Sequence, residues 1–229
     1  MKIDWGSFLL KRTPEKGPIF PIGSRVYYGF QGNGKSLSMV KYDFDIKHAF
    51  PDSVIFSNMY LYGIDYHFLE NDNDVAKALK YSNGQKGVLI LLDEAHLYFN
   101  KKTGISLDVL TAISQQRKDR RRIVFSTQIW EELDISLRKQ VKEIVKCKRF
   151  LNMIILTVHN GETLHYDKLE GNYVADKIWT EVYKMNDKYY KRYNTYQKII
   201  TNEDYDESRA RGAPPPLAPV VQINKRKVI

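Results

Sequence analysis

At 229 residues, 43% apolar and 28% charged, the chain is long enough for one sizeable α/β domain with additions and too short for two. Its longest uncharged apolar run, Gly87-Val-Leu-Ile-Leu-Leu92, is far below the ~20 residues that span a bilayer, so no transmembrane segment is expected, and the first residues lack the pattern of a secretion signal. The net charge of +9, from 36 Lys and Arg against 27 Asp and Glu, favours a polyanionic partner, while the lone Cys147 excludes an internal disulfide and reads as a structural thiol in a reducing cytoplasm.

Residues 1–24, with Pro14, Pro18 and Pro21, read as an irregular arm lying on the domain or on a neighbouring subunit. Arg25-Val-Tyr-Tyr-Gly29 has the β-branched and aromatic content of a buried strand. It runs into Gly29-Phe-Gln-Gly-Asn-Gly-Lys-Ser36, which satisfies the phosphate-loop spacing G-x-x-x-x-G-K-S/T at every fixed position. Gly29, Gly32 and Gly34 permit turns that point successive N–H groups at phosphate oxygens. Lys35 supplies a cation for the β- and γ-phosphates of ATP, and Ser36 a hydroxyl for Mg²⁺. The helix that starts here adds its positive end. The expected nucleotide-binding set is Gly29, Gly32, Asn33, Gly34, Lys35, Ser36 and Leu37.

That helix, with Leu37, Val40 and Phe44 at helical spacing, should end near Phe50-Pro51. Ser53 to Met59 reads as a strand and Asn73 to Lys80 as a short helix. The acidic cluster Glu70 to Asp74 lacks the glycine and distal glutamate of a calcium loop and reads as a helix N-cap. Lys86 to His96 holds a short, uniformly apolar run that ends abruptly in Asp93 and Glu94 and reads as a strand. Such a strand suits the centre of a parallel sheet, whose carboxyl edge presents ligand groups. Asp93 is placed on Mg²⁺ and Glu94 as the base that accepts a proton from the attacking water.

Leu107 to Arg117 is helical by spacing, with Leu107, Leu110, Ile113 and Ser114 expected on the inner side. The basic run Arg117 to Arg122 follows, with Arg120 to Arg122 read either as DNA contacts or as partners for acidic residues across a subunit interface. It leads into the strand Ile123 to Gln128, which sets Gln128 beside Asp93 and Glu94. Leu133 to Arg138 reads as a loop and short helix, and Val141 to Phe150 and Asn152 to Val158 as strands before a turn at Asn160-Gly161. The aromatics between Ala175 and Ile200 read as core or subunit packing, or as a stacking platform for single strands. Asp204 to Pro216 reads as a flexible segment, followed by an apolar arm, Leu217 to Ile223, and the basic Lys225-Arg-Lys227.

The order of phosphate loop, Asp93-Glu94, Arg117 and Ser126-Thr127-Gln128 resembles the FtsK and HerA superfamily of DNA-translocating ATPases, in which an arginine lies eleven residues before the glutamine of a Thr-Gln pair. The zonula occludens toxin-like branch is closer still. It includes filamentous-phage assembly ATPases and is similar to viral genome-packaging ATPases. Its Leu-Asp followed by Arg resembles Leu133-Asp134 to Arg138, and its late Tyr-Asn-Thr resembles Tyr193-Asn194-Thr195. The resemblance implies a RecA-like P-loop NTPase with a mostly parallel sheet flanked by helices over residues 25–200; the residues themselves set the arm at 1–24 and the flexible tail at 201–229. The resemblance further implies Gln128 as a γ-phosphate sensor and Arg117 as the finger reaching a neighbour's site, with Arg120 and Arg138 as the other candidates. Phage assembly proteins usually carry a membrane span after this domain. Its absence here points to a soluble motor that packages double-stranded DNA through a viral capsid vertex as a homo-oligomeric pentamer or hexamer, in the host cytoplasm and associated with the virion.

Overall fold

The computed structural model describes residues 12–13, 17–99, 104–105, 107–169, 171–185 and 187–193. After a two-residue ladder between Arg12–Thr13 and Gly17–Pro18, β1 (Gly23–Tyr28) leads through the glycine loop into α1 (Lys35–Ala49). Then come β2 (Val54–Ser57), β3 (His67–Phe68), α2 (Asp72–Lys80), β4 (Val88–Leu92), α3 (Leu107–Ser114) and β5 (Arg121–Thr127). The chain continues with α4 (Ile135–Arg138), β6 (Val141–Phe150), β7 (Met153–Asn160), the small hairpin β8 (His165–Asp167) and β9 (Asn172–Val174), β10 (Lys177–Lys184) and α5 (Asp187–Tyr190).

Eight of these strands form one sheet in the order β10-β7-β6-β1-β5-β4-β2-β3. Every pairing from β6 to β3 is parallel, as crossover connections require, whereas β6–β7 and β7–β10 are antiparallel. The β6–β7 turn holds only Leu151 and Asn152, which is too short for a crossover, and Leu151 takes a left-handed φ of 52° to make it.

Helices cover both faces, and this explains the uninterrupted apolar run of β4. Leu89 and Leu91 pack with Met39, Val40 and Ile46 of α1, while Val88, Ile90 and Leu92 pack with Val75 and Leu79 of α2 and Ile113 of α3. The alternation of a strand is present but hidden, because neither face meets water. Asn71 caps α2 by accepting from the Asp74 amide, so the acidic cluster is a helix start. Burial pushes the Cys147 thiol up to about 12, which suits a structural residue.

Several expectations are corrected. The helix expected to run to Arg117 ends at Ser114, and Leu107 is 78% exposed instead of facing inward. Ser114 is exposed as well and donates its hydroxyl to the Leu110 carbonyl. Arg121 and Arg122 are interior residues of β5, each 1% exposed, and so cannot be surface contacts to DNA. Arg122 and Arg25 converge on Glu143 of β6, Arg25 at 2.6 Å, and both guanidinium groups lie against the Tyr42 ring. Burial would raise the Glu143 carboxyl, but the charges of Arg122 and Arg25 outweigh it and hold the group at about 2. Trp179 and Tyr183 of β10 pack on the α1 side of the sheet, as core aromatics rather than a stacking platform. Tyr193 bridges to Leu61, while Asn194 and Thr195 lie outside the described residues. So do residues 1–11 and 14–16 of the arm and the whole of 201–229, including Leu217 to Ile223 and Lys225 to Lys227.

One interior acid in α1 opposes folding at neutral pH. Asp43 is fully buried, and neither carboxylate oxygen has a hydrogen-bond partner among the described residues. Burial raises its carboxyl to about 8 against the pull of Lys47. The unfolded chain therefore releases this proton near pH 4 while the folded chain keeps it to about 8, so stability falls as pH rises through that window. Asp43→Asn removes the titration. The melting temperature of the variant minus that of the wild type is expected to increase from pH 4 to pH 8, and a pH-independent difference would contradict this.

Candidate active site

Parallel pairing aligns the strand ends. Tyr28 lies opposite Thr127 and Leu92 opposite Phe125, so the residues after β1, β4 and β5 emerge along one edge. The glycine loop, Asp93-Glu94 and Gln128 therefore meet there without any long-range design beyond register.

The loop is shaped by close contacts that only glycine tolerates. Gly29 lies at φ 147°, and a Cβ there would sit 2.7 Å from the Cys147 carbonyl oxygen. Gly34, at φ 80°, is the N-cap of α1, and its Cβ would meet the Ile154 side chain at 2.5 Å. As glycine it offers no side-chain cap, so the first amides of α1 remain available to an anion. Lys35 is 7% exposed and folds its ammonium back onto the loop, donating to the Gly29 carbonyl at 3.0 Å. Leu37, in contrast, sends its side chain into the core, so of that residue only backbone groups can serve a ligand.

Across from the loop, Ser36 Oγ donates to Asp93 Oδ2 at 2.9 Å, and Ser126 Oγ donates to Asp93 Oδ1. Burial raises the Asp93 carboxyl above its usual range; Ser126, Ser36 and Lys35 pull it down, and Glu94 pushes it further up. A hydroxyl and a carboxylate held together this way are hard oxygen donors suited to Mg²⁺, which would relieve the unfavourable charge burial at Asp93.

Gln128 Nε2 donates to Glu94 Oε1 at 2.9 Å, and the Glu94 amide donates to Ser126 Oγ. Among the described residues Glu94 is one of three non-glycine residues with positive φ, at 52°, a left-handed conformation sparsely populated outside functional sites. Thus Lys35, Ser36, Asp93, Glu94 and Gln128 converge. Arg117 and Arg138 do not. Arg117 is exposed in the turn before β5, at the opposite edge of the sheet, about 23 Å away by the length of a seven-residue strand. Arg138 precedes the start of β6, which pairs with Ser24 at that same far edge, and stacks over Tyr173 at 5.5 Å. Neither can reach the site of its own chain.

Three supporting residues escaped the sequence reading of roles. Asn58, 2% exposed, clamps Asp93 from both sides, donating to its carbonyl at 2.9 Å and accepting from its amide at 2.8 Å. Its signal was a polar residue at the end of an apolar strand, the same signal that marks Gln128. Ser126 belongs to the Ser-Thr-Gln motif and donates to Asp93, and His96 lies 3.4 Å from Glu94.

The family model for zonular occludens toxin (Zot) matches residues 45–198, a span that begins within α1, past the glycine loop. No curated protein matches the chain. Among solved structures, the N-terminal domain of zonular occludens toxin from Neisseria meningitidis superposes with a TM-score of 0.55 at 17% identity, covering 75% of this chain and 98% of that one. The genome packaging NTPase B204 from Sulfolobus turreted icosahedral virus 2, bound to ATP-γS, gives a TM-score of 0.47 at 14% identity, covering 69% and 98%. With its RecA-like P-loop NTPase fold and the match over 45–198, the chain belongs to the zonular occludens toxin (Zot) family.

Proposed function

We propose that this protein is an ATP-driven DNA translocase that packages viral double-stranded DNA into a preformed capsid. The ATPase part rests on one observation, the convergence of the glycine loop and Lys35 with the Ser36–Asp93 and Glu94–Gln128 pairs at a single sheet edge. In this reading Lys35 and the loop amides bind the phosphates and Glu94 accepts the proton of the attacking water. Gln128 orients that water. Mg²⁺, held by Ser36 and Asp93, would neutralise charge developing on the phosphate oxygens. Because Arg117 and Arg138 sit at the far edge, each of them could complete a site only on a neighbouring subunit, which suits a ring of five or six.

The DNA part is supported by the +9 charge and by the order of Arg117, Gln128, Leu133-Asp134 and Arg138. With Arg121 and Arg122 interior, phosphate contacts fall to exposed cations such as Lys146 and Lys148. The setting in this reading is the host cytoplasm and the capsid vertex. The family match favours a second reading, an ATPase for phage assembly or extrusion that acts on single strands.

Steady-state ATP hydrolysis with duplex or single-stranded DNA, at low and moderate salt, separates the two. Stimulation by duplex that fades with salt is expected for packaging, since released counterions drive such binding. Preference for single strands would select the second reading. No effect of either, with the protein assembled, would leave a nucleotide-gated interaction protein.

A further inference from the structure

The carboxylate of Glu94 has one oxygen accounted for. Oε1 accepts from Gln128, while Oε2 is shielded from solvent and has no hydrogen-bond partner among the described residues. His96 Nδ1 lies 3.4 Å from it and is equally shielded and equally without a hydrogen-bond partner among the described residues. The two side chains are about three-quarters buried. The backbone makes this approach deliberate: Glu94 takes its left-handed φ, and the 3-10 turn Ala95–Leu97 then carries the imidazole back over the carboxylate. At 3.4 Å the pair stands a few tenths of an ångström beyond the ~2.9 Å of a good N–H···O bond.

We propose that His96 is a positioning residue, donating its Nδ1–H to Glu94 Oε2. With Gln128 donating to the other oxygen, the carboxylate plane is held from two sides. Each oxygen keeps a second lone pair, so a proton can still be accepted from water. Without His96, Gln128 alone orients the Glu94 carboxylate and a shielded oxygen is left unsatisfied. This rests on the reading of Glu94 as the group that activates water.

The test compares His96→Phe and His96→Asn with the wild type in kcat, KM for ATP and the Kd of a non-hydrolysable ATP analogue. Asparagine puts an N–H₂ close to where Nδ1–H lies; phenylalanine keeps the ring and loses the donor. His96→Phe is expected to lower kcat about 10- to 100-fold, as loss of an orienting partner does, with KM and Kd within about twofold. His96→Asn should recover most of the loss, and adding His96→Phe to Glu94→Gln should cost nothing more. Wild-type kcat in His96→Phe overturns the proposal, as does a parallel loss of nucleotide binding or an His96→Asn variant no better than His96→Phe. Normal turnover in Glu94→Gln alone overturns the underlying reading instead.

Discussion

Glu94→Gln is expected to abolish ATP turnover, by about 10²- to 10⁴-fold in kcat, while ATP still binds. The substitution changes one atom. The side chain keeps its shape and an acceptor for Gln128, but it can no longer take a proton from water. The groups assigned to phosphate and Mg²⁺ lie elsewhere: Lys35 donates to the loop carbonyl, and Ser36 is paired with Asp93. Lys35→Ala is the informative contrast, because removing the ammonium should weaken binding and turnover together. Calorimetric titration with ATP alongside single-turnover hydrolysis distinguishes the two variants. Normal hydrolysis by Glu94→Gln would show that another group is the base.

The largest stability effect is expected from Glu143→Gln, which removes the counter-charge of two interior arginines. Arg25 and Arg122 would then be buried cations with no carboxylate, a change that costs about 3–5 kcal/mol. For a chain of this length that lowers the melting temperature by about 10 °C. The pH dependence follows from the same pair of arginines. Glu143 titrates at about 2 when folded and near 4.5 when unfolded, so its contribution is full above pH 4.5 and disappears as pH falls through about 2. Between pH 5 and pH 2 the wild type should lose about 3 kcal/mol that Glu143→Gln does not lose. Equal acid sensitivity in both proteins would show that the cluster is not the acid-labile element.

Much of the site was legible before any fold was known, because its main signals are local. The loop announces itself by glycine spacing and a following Lys-Ser pair. Asp93 and Gln128 each mark the point where a buried strand meets water. Basic residues misled for an equally physical reason. Arg120, Arg121 and Arg122 stand together in sequence, but β5 begins between Arg120 and Arg121, so the last two enter the core. Charge predicts exposure only when no partner exists to receive it: Arg122 meets Glu143, 21 residues further on, and Arg121 meets Asp119 and the Tyr81 and Ala112 carbonyls. Leu107 failed in the opposite sense: helical spacing marks a face, but in the first turn of α3 it is Val109 that packs against the core, while Leu107 stays 78% exposed.

The sequence by itself determined the P-loop, the buried strands and the polar residues that cap them, since each depends on neighbours within a few positions. Only the tertiary structure decided which of those residues meet. Asn58 clamps Asp93 across 35 residues, Ser126 reaches it across 33, and Gln128 reaches Glu94 across 34. It also decided that Arg117 and Arg138 lie a strand's length from the site of their own chain. Parallel strand order and register set those meetings, and order and register are properties of the packed sheet rather than of any segment in it.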